Sequence, residues 1–297
     1  MVLIGRLGLE TARIPHVDRH GLMWLSRGHL VVQDGTLHFI AAPSAEMASG
    51  DYAIPFQNVS LILIGPGTTV SHDALRILAR HGTGLVAVGE DGVRLYSAPP
   101  LGTEDSKYAR RQAILWAVEA ERVKVAKKMY AWRLGESLPQ GDIAALRGVE
   151  GARMKETYLL LARKYGVEWC GRRYDRQNPE SADPPNQAIN HAATAVEAAA
   201  TIAIAATGTI PSLGFIHEDS ANAFCLDIAD LFRDSITIPV AFEATKLWEK
   251  QRDLTIDRHV RRLAGQRFRQ LELIPKMIDR IKELLSVDDR GCNSGCG

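Results

Sequence analysis

The apolar residues of this chain change their spacing near residue 97, and that change constrains the fold more than any other feature of the sequence. Before it they form short runs separated by turn pairs. Leu30-Val31-Val32 and Leu37-His38-Phe39-Ile40 flank Asp34-Gly35, while Leu85-Val86-Ala87-Val88 and Val93-Arg94-Leu95-Tyr96 flank Asp91-Gly92. Both pairs take up positive φ readily, so each reads as a hairpin turn. Val59 to Ile64, bounded by Gly65-Pro66-Gly67, is a further apolar run. One helix interrupts these strands, with Ser71 as N-cap, Ala74, Leu75 and Leu78 in helical register, and Gly82 as a left-handed stop. Ser97-Ala98-Pro99-Pro100-Leu101-Gly102 supports no continuing element. Beyond it the spacing becomes helical and predicts one long helix from about Asp105 to Leu134, carrying Trp116, Val123, Met129 and Trp132. Further helices are predicted over Ile143–Tyr165, Gln187–Ala206, Ala221–Phe232, Pro239–Lys250 and Asp257–Leu285. Strands followed by helices, without strand–helix alternation, predict an α+β chain: an N-terminal β-rich domain at 1–97, a linker at 98–104, a larger all-α domain at 105–286 and a flexible tail at 287–297.

A chain of 297 residues with 46% hydrophobic content can bury a sizeable core. The net charge of +1 means that any affinity for nucleic acid must come from local basic surface. Such surface exists. Arg258, Arg261, Arg262, Arg267 and Arg269 follow one another without an intervening acid, and eight basic residues between Lys107 and Arg133 face only Glu119 and Glu121. The second group also fits an ordinary solvated helix face. The most apolar stretch, Ala198 to Ile210, reads as too short to cross a bilayer and follows Glu197, and no secretory segment is evident, so the chain reads as cytoplasmic, with no membrane partner. Cys170, Cys225, Cys292 and Cys296 are too few and too scattered for a disulfide framework. Cys170 and Cys225 read as small buried hydrophobes, and the Cys292/Cys296 tail as frayed.

The residues that carry chemistry lie in the helical half. Glu150 sits between Gly148 and Gly151, whose small size lets another backbone or a DNA strand come close to the carboxylate. His217 follows a turn-like stretch. Asp227 and Asp230 are three apart, on one helix face, among Leu226, Ile228, Ala229, Leu231 and Phe232. Each alone has a plainer reading, as a solvated acid or a merely hydrogen-bonded histidine. Together, three carboxylates and an imidazole form a ligand set suited to Mg²⁺ or Mn²⁺ that leaves positions open for phosphate oxygens. Acids on an apolar helix also require partners.

These residues stand in recurring surroundings: Leu146-Arg147-Gly148-Val149-Glu150-Gly151, Gly214-Phe215-Ile216-His217, Asp227-Ile228-Ala229-Asp230, Asn186-Gln187, Trp169-Cys170-Gly171-Arg172-Arg173-Tyr174-Asp175, and Pro66-Gly67-Thr68-Thr69-Val70-Ser71-His72. With them the chain, from about Asp18 to about Asp279, resembles the family of CRISPR-associated protein one, the DNA integrase of spacer acquisition, and most of all its Cascade-associated subtype I-E branch. The resemblance implies that the all-α domain is catalytic, that Glu150, His217 and Asp230 hold the metal, and that Asp227 supports them. It implies a transesterification, without nucleotide cofactor, that joins the 3′-hydroxyl ends of double-stranded DNA to CRISPR repeat DNA at the leader end of an array. It further implies a homodimer, with two dimers bridged by a small CRISPR-associated partner dimer. Arg76 and Arg94 match basic positions of the family, and Arg258 and Arg261 match positions where the family contacts DNA phosphate; all four also fit ordinary surface charge. Arg172, Arg173 and Tyr174 are added as DNA-binding candidates, with Trp169 able either to stack on bases or to pack in the core. Thr69, Leu226 and Glu218-Asp219-Ser220 depart from the pattern, where arginine, tyrosine and a lysine-bearing loop are common. Rival readings are a stand-alone structure-selective nuclease acting on branched DNA in repair, a DNA-holding scaffold and a hydrolase of small phosphate esters.

Overall fold

The computed structural model describes residues 21–43, 48–97, 106–135, 143–173 and 182–286. Two compact units emerge, Met1–Gly89 with Tyr96–Ser106 and Glu90–Leu95 with Lys107–Gly297. The first is strand-rich and the second helical.

Two four-stranded sheets make up the first unit. One takes β1 (Gly21–Leu25), β5 (Val59–Ile64), β7 (Gly84–Val88) and β8 (Leu95–Ser97) in that order; the other runs β4 (Gly50–Ala53), β3 (Thr36–Ala41), β2 (Gly28–Gln33) and β6 (Thr68–Val70). β2 and β3 form the expected hairpin, Gln33 opposite Thr36, with Asp34 and Gly35 at φ 48° and 76°. Asp91 and Gly92 take the same left-handed conformation between β7 and β8. Helix α1 (His72–His81) also follows its sequence signals: Ser71 Oγ accepts from the Ala74 amide at 3.2 Å, and Gly82 closes the helix at φ 64°. One feature departs from a pure hairpin pattern. β5 pairs in parallel with both β1 and β7, and α1 lies between β5 and β7 in the chain, so a strand–helix–strand crossover lies inside this unit. Both faces of β5 are covered, which is why its five residues Val59–Leu63 are all buried and its pattern is a continuous apolar run. Leu25, Leu30, Phe39, Ile62 and Leu78 are among the fully covered side chains of this core.

In the second unit, α5 (Pro184–Thr207) is the central element, packed by α6 (Ala223–Asp230), α7 (Ile238–Lys250), α8 (Ile256–Leu271) and α9 (Leu273–Leu285). It starts three residues before its expected first residue because Asp183 caps it, accepting from the Asn186 amide, and Pro184-Pro185 tolerate the first turn, where amides have no helical partner. Six of its alanines, Ala188, Ala192, Ala195, Ala199, Ala200 and Ala203, are fully buried, and their small size lets neighbouring helices approach closely. This helix corrects the sequence reading of the apolar stretch. By length and composition it is sufficient to cross a membrane, with mean hydropathy 1.2 over its most apolar window, but 61% of that window is buried inside the protein, as in a core helix.

Two predicted long helices are each broken in two. The first divides into α2 (Lys107–Ala117) and α3 (Glu119–Leu134) at Val118, whose φ of −103° and ψ of 109° are extended. A β-branched residue adopts that conformation easily, and Glu119 and Glu121 then suit the new N-terminus. The second breaks at Glu272, φ 49°, between α8 and α9. Both pack on α5, a placement that one straight helix could not give to two apolar faces. Helix α4 (Ile143–Tyr165) has its predicted bounds. Between α6 and α7 the chain makes a wide turn over Arg233–Thr237, in which the Ile238 amide reaches back to the Arg233 carbonyl. Pro239, which follows, cannot donate to a carbonyl four residues earlier. Cys225 is buried as expected, and burial pushes its thiol pKa up, but Cys170 is exposed. The 287–297 tail and Tyr174 lie outside the described residues.

Candidate metal centre

Asp227 accepts from four N–H groups. It projects from α6 into the Gly214–His217 turn, where Oδ2 accepts the Phe215 and Ile216 amides at 2.5 and 3.0 Å and Oδ1 accepts the His217 amide at 3.0 Å. Oδ1 also meets His217 Nδ1 at 2.7 Å. An ionised carboxylate only accepts, so Nδ1 carries a proton, and in the neutral imidazole the lone pair is then on Nε2. That nitrogen faces Asp230 Oδ2 at 4.0 Å. Thus Asp227, wholly buried, fixes both the ring orientation and the tautomer of His217, as carboxylates behind metal-binding histidines do. Gly214 is required here, since a Cβ at this position would overlap the His217 carbonyl and Ala223.

Glu150, on α4, reaches the same place. Its Oε1 accepts from Arg133 Nη1 at 2.5 Å, and the same nitrogen lies 3.9 Å from Asp230 Oδ2. Arg133, on α3, has a side chain only 4% exposed, and its Nη2 lies 3.9 Å from Asp234. Arg233 pairs with Asp230 Oδ1 at 2.6 Å. Burial opposes the Arg233 charge, yet Asp230, with smaller help from Tyr158, Glu150 and Asp234, outweighs it and holds the guanidinium pKa above its ordinary value. Burial likewise pushes the Asp234 carboxyl pKa up, against the opposing pull of Arg133 and Arg233, and raises that of Tyr158. Arg133, Arg233 and Asp234 were not singled out in the sequence. The available signals were spacing, Arg233 and Asp234 falling three and four residues after Asp230; Arg133 was indistinguishable from the basic residues of its helix.

Among the described residues no three acidic, histidine or cysteine side chains converge closely enough in this arrangement to grip one ion. The guanidiniums of Arg133 and Arg233 draw the acids instead. The donor set nevertheless fits a hard divalent cation: Glu150 and Asp230 supply oxygens, His217 supplies an oriented Nε2, and Asp234 Oδ1 is buried without a hydrogen-bond partner. Among the described residues Arg133 Nε likewise has no hydrogen-bond partner. At Gly148 and Gly151, beside Glu150, an added Cβ would meet nothing within 4 Å. Among the described residues none fills the space beside these two exposed glycines.

The other predicted residues fall in separate places. Arg94 and Arg261 converge on Asp257, at 2.9 Å each, while Arg258 is exposed on α8. Arg172 donates to Asn186 and Asn190, and the Arg173 amide donates to Asn186 Oδ1 at 2.9 Å. Buried Asn186 also donates to the Gly171 carbonyl, so it fastens the Gly171–Arg173 segment to α5, a role not read from the sequence. Trp169 packs rather than lying free: it stacks on Tyr158 at 5.0 Å and meets Phe242 edge-on at 5.5 Å. Arg76 belongs to the strand-rich unit, 71% exposed and paired with Asp73. Of the departures from the family pattern, Thr69 bonds His29 at 2.6 Å and Glu218 pairs with Arg122 at 3.3 Å.

Comparison with known proteins places this arrangement. The model of the family described as CRISPR associated protein Cas1 matches residues 132–262, a span that begins one residue before Arg133 and includes every acid of the cluster and His217. The chain is 37% identical over 277 residues to the CRISPR-associated endonuclease Cas1 of Escherichia coli strain K12, covering 93% of this chain and 88% of that one, a match that fits the subtype I-E branch. To the CRISPR-associated endonuclease Cas1 of Geobacter sulfurreducens it is 36% identical over 275 residues, covering 92% and 87%. Its fold superposes on the crystal structure of a TtCas1–DNA complex with a TM-score of 0.79 and 30% identity, over 91% of this chain and 97% of the other. With identity at this level sustained over almost the whole length of both chains, the chain belongs to the Cas1 family of CRISPR-associated endonucleases.

Proposed function

We propose that this protein is a metal-dependent DNA integrase and endonuclease of CRISPR adaptation, joining the 3′-hydroxyl ends of a foreign DNA fragment to the repeat at the leader end of a CRISPR array. The observation that carries this reading is the Asp227 clamp, which aims His217 Nε2 at Asp230 while Arg133 links Asp230 to Glu150. Glu150, His217 and Asp230 would hold Mg²⁺ or Mn²⁺, which when bound polarises a phosphodiester and stabilises charge developing in an in-line displacement. The side chains do the rest. Asp227 keeps the His217 proton on Nδ1, the open surface beside Gly148 and Gly151 admits a strand, and Arg233 balances Asp230. In the reaction the 3′ oxygen attacks phosphorus as the existing 3′ P–O bond of the repeat breaks; one hydroxyl loses a proton and another gains one, so no nucleotide cofactor is consumed. The solved TtCas1–DNA complex supports DNA as the substrate of this chain.

Two joins on opposite strands at a fixed separation require two sites held apart. This reading therefore includes a homodimer, two of which are bridged by the small CRISPR-associated partner dimer, acting in the cytoplasm. A stand-alone nuclease acting on branched DNA is favoured by one observation, that the relatives are named endonucleases. Purified protein with branched DNA, with and without the partner dimer, separates the two. The protein alone is expected to cut or reverse branched DNA in Mn²⁺ or Mg²⁺, and two-ended insertion is expected only with the partner. Glu150→Gln, His217→Ala and Asp230→Ala should each abolish both activities while melting as folded proteins. Undiminished turnover after thorough chelation removes metal from the mechanism, and efficient two-ended insertion by this chain alone refutes the bridged architecture.

A further inference from the structure

His217 stands on a stretch, Gly208 to Asn222, that forms neither helix nor strand. Backbone groups in such a stretch need partners from outside it, and here side chains supply several of them. From the α6 side, Asp227 takes the Phe215, Ile216 and His217 amides. The residues just before them are taken from α2. Gln112, wholly buried, donates from Nε2 to the Ile210 and Leu213 carbonyls at 3.0 and 2.9 Å, and its Oε1 accepts the Ile210 amide at 2.7 Å. A backbone amide can only donate, which fixes the orientation of the Gln112 side chain, and both hydrogens of Nε2 are then used. One turn further along the same face of α2, Trp116 donates from Nε1 to the Gly214 carbonyl at 2.9 Å.

The peptide between Gly214 and Phe215 joins the two sides. Its oxygen accepts from Trp116, and its N–H donates to Asp227 Oδ2. A trans peptide is planar, with oxygen and hydrogen pointing in opposite directions, so holding both ends stops the plane from turning. Two peptides later the chain reaches His217, whose carbonyl lies where a Cβ on Gly214 would be. We propose that Gln112 and Trp116 are positioning residues for His217: with Asp227 they grip the Ile210–His217 stretch from opposite sides, so that α2 as well as α6 sets where the imidazole points. The inference rests on the reading of Glu150, His217 and Asp230 as metal ligands and adds the residues that hold one of those ligands in place through the backbone.

The test uses the full chain, with Mn²⁺ alone as the probe. Trp116→Phe keeps a ring and removes only the N–H donor. Gln112→Met keeps the length of the side chain and removes all three of its hydrogen bonds. Val260→Ala, in the buried face of α8, is the control for lost stability by itself. Melting in chelator, calorimetric titration with Mn²⁺ and the His217 ring nitrogen chemical shifts in chelator are measured for each. Trp116→Phe should bind Mn²⁺ about fivefold more weakly, the effect of one neutral hydrogen bond, and Gln112→Met about 10–100-fold more weakly, as changes behind a metal ligand do. In both, the ring nitrogens should move from a single-tautomer pattern toward a mixture, while Val260→Ala lowers melting and leaves affinity and ring shifts unchanged. Trp116 and Asp227 hold one peptide, so Trp116→Phe combined with Asp227→Asn should weaken binding by less than the product of the two single losses. Affinities and ring shifts no different from those of Val260→Ala overturn the proposal, as does a double variant whose losses multiply. A wild type that binds no Mn²⁺ overturns the metal reading, and the ring shifts in chelator then decide the positioning by themselves. Mn²⁺ binding that is indifferent to both α2 substitutions overturns only this inference.

Discussion

Replacing Asp227 with asparagine keeps the shape of the side chain and changes what its two ends can do. In the native protein four N–H donors converge on the carboxylate, two on each oxygen. An amide can accept at only one end. If its nitrogen took the Oδ2 position, the Phe215 and Ile216 amides would both face a donor. If it took the Oδ1 position, the His217 ring could respond by moving its proton to Nε2 and accepting at Nδ1, leaving only the His217 amide orphaned. The second orientation costs less and is the expected one. One buried unsatisfied amide costs about 1–3 kcal/mol, so a loss near 2 kcal/mol is expected. For a unit of this size that lowers the melting temperature by about 4–8 °C. The chemical consequence is separate. With a proton on Nε2 the imidazole has no lone pair facing Asp230, and affinity for Mn²⁺ should fall by about 10–100-fold. Melting in chelator, calorimetric titration with Mn²⁺ and the nitrogen chemical shifts of the His217 ring report these effects independently. Unchanged melting, unchanged Mn²⁺ affinity and a proton still on Nδ1 would refute the argument that Asp227 sets the histidine.

Arg133→Met should destabilise the protein by about 3–5 kcal/mol in chelator, because it strips a buried cation from Glu150 and Asp230, and Mn²⁺ should recover much of the loss. A melting deficit identical with and without Mn²⁺ would show that Arg133 acts only as packing. Gly214→Ala should displace the turn that carries His217, costing about 1–3 kcal/mol and lowering cleavage of branched DNA, whereas Gly148→Ala, with open space at the new methyl, should melt no lower than wild type; equal behaviour of the two would count against the close contact at Gly214. Arg258→Ala should weaken DNA binding similarly across sequences and reduce the salt slope by about one unit. A sequence-selective loss at unchanged salt slope would point to base contacts instead.

Local signals in the sequence determined most elements of this protein. Ser71 and Gly82 bound α1, Asp34-Gly35 makes the β2–β3 turn, and α4 runs over its predicted residues, because caps and turns depend on conformational preferences of a few adjacent residues. The sequence also marked Asp227 and Asp230, since acids on an apolar helix announce that something must pair with them, and the family resemblance added Glu150 and His217 to them. It could not say what pairs with what. Asp227 and Asp230 are equivalent by spacing, yet one is bound by four N–H groups of a turn ten to twelve residues away and the other faces an imidazole and two guanidiniums. Arg133 looked like its solvated neighbours until α3 packed beside α4 and buried it. The breaks at Val118 and Glu272 were equally hidden, because continuous apolar spacing does not reveal that two halves of a helix must turn to reach α5. Covalently local preferences fix elements; which charges meet, and which helices must bend so that they meet, is decided by long-range packing around α5.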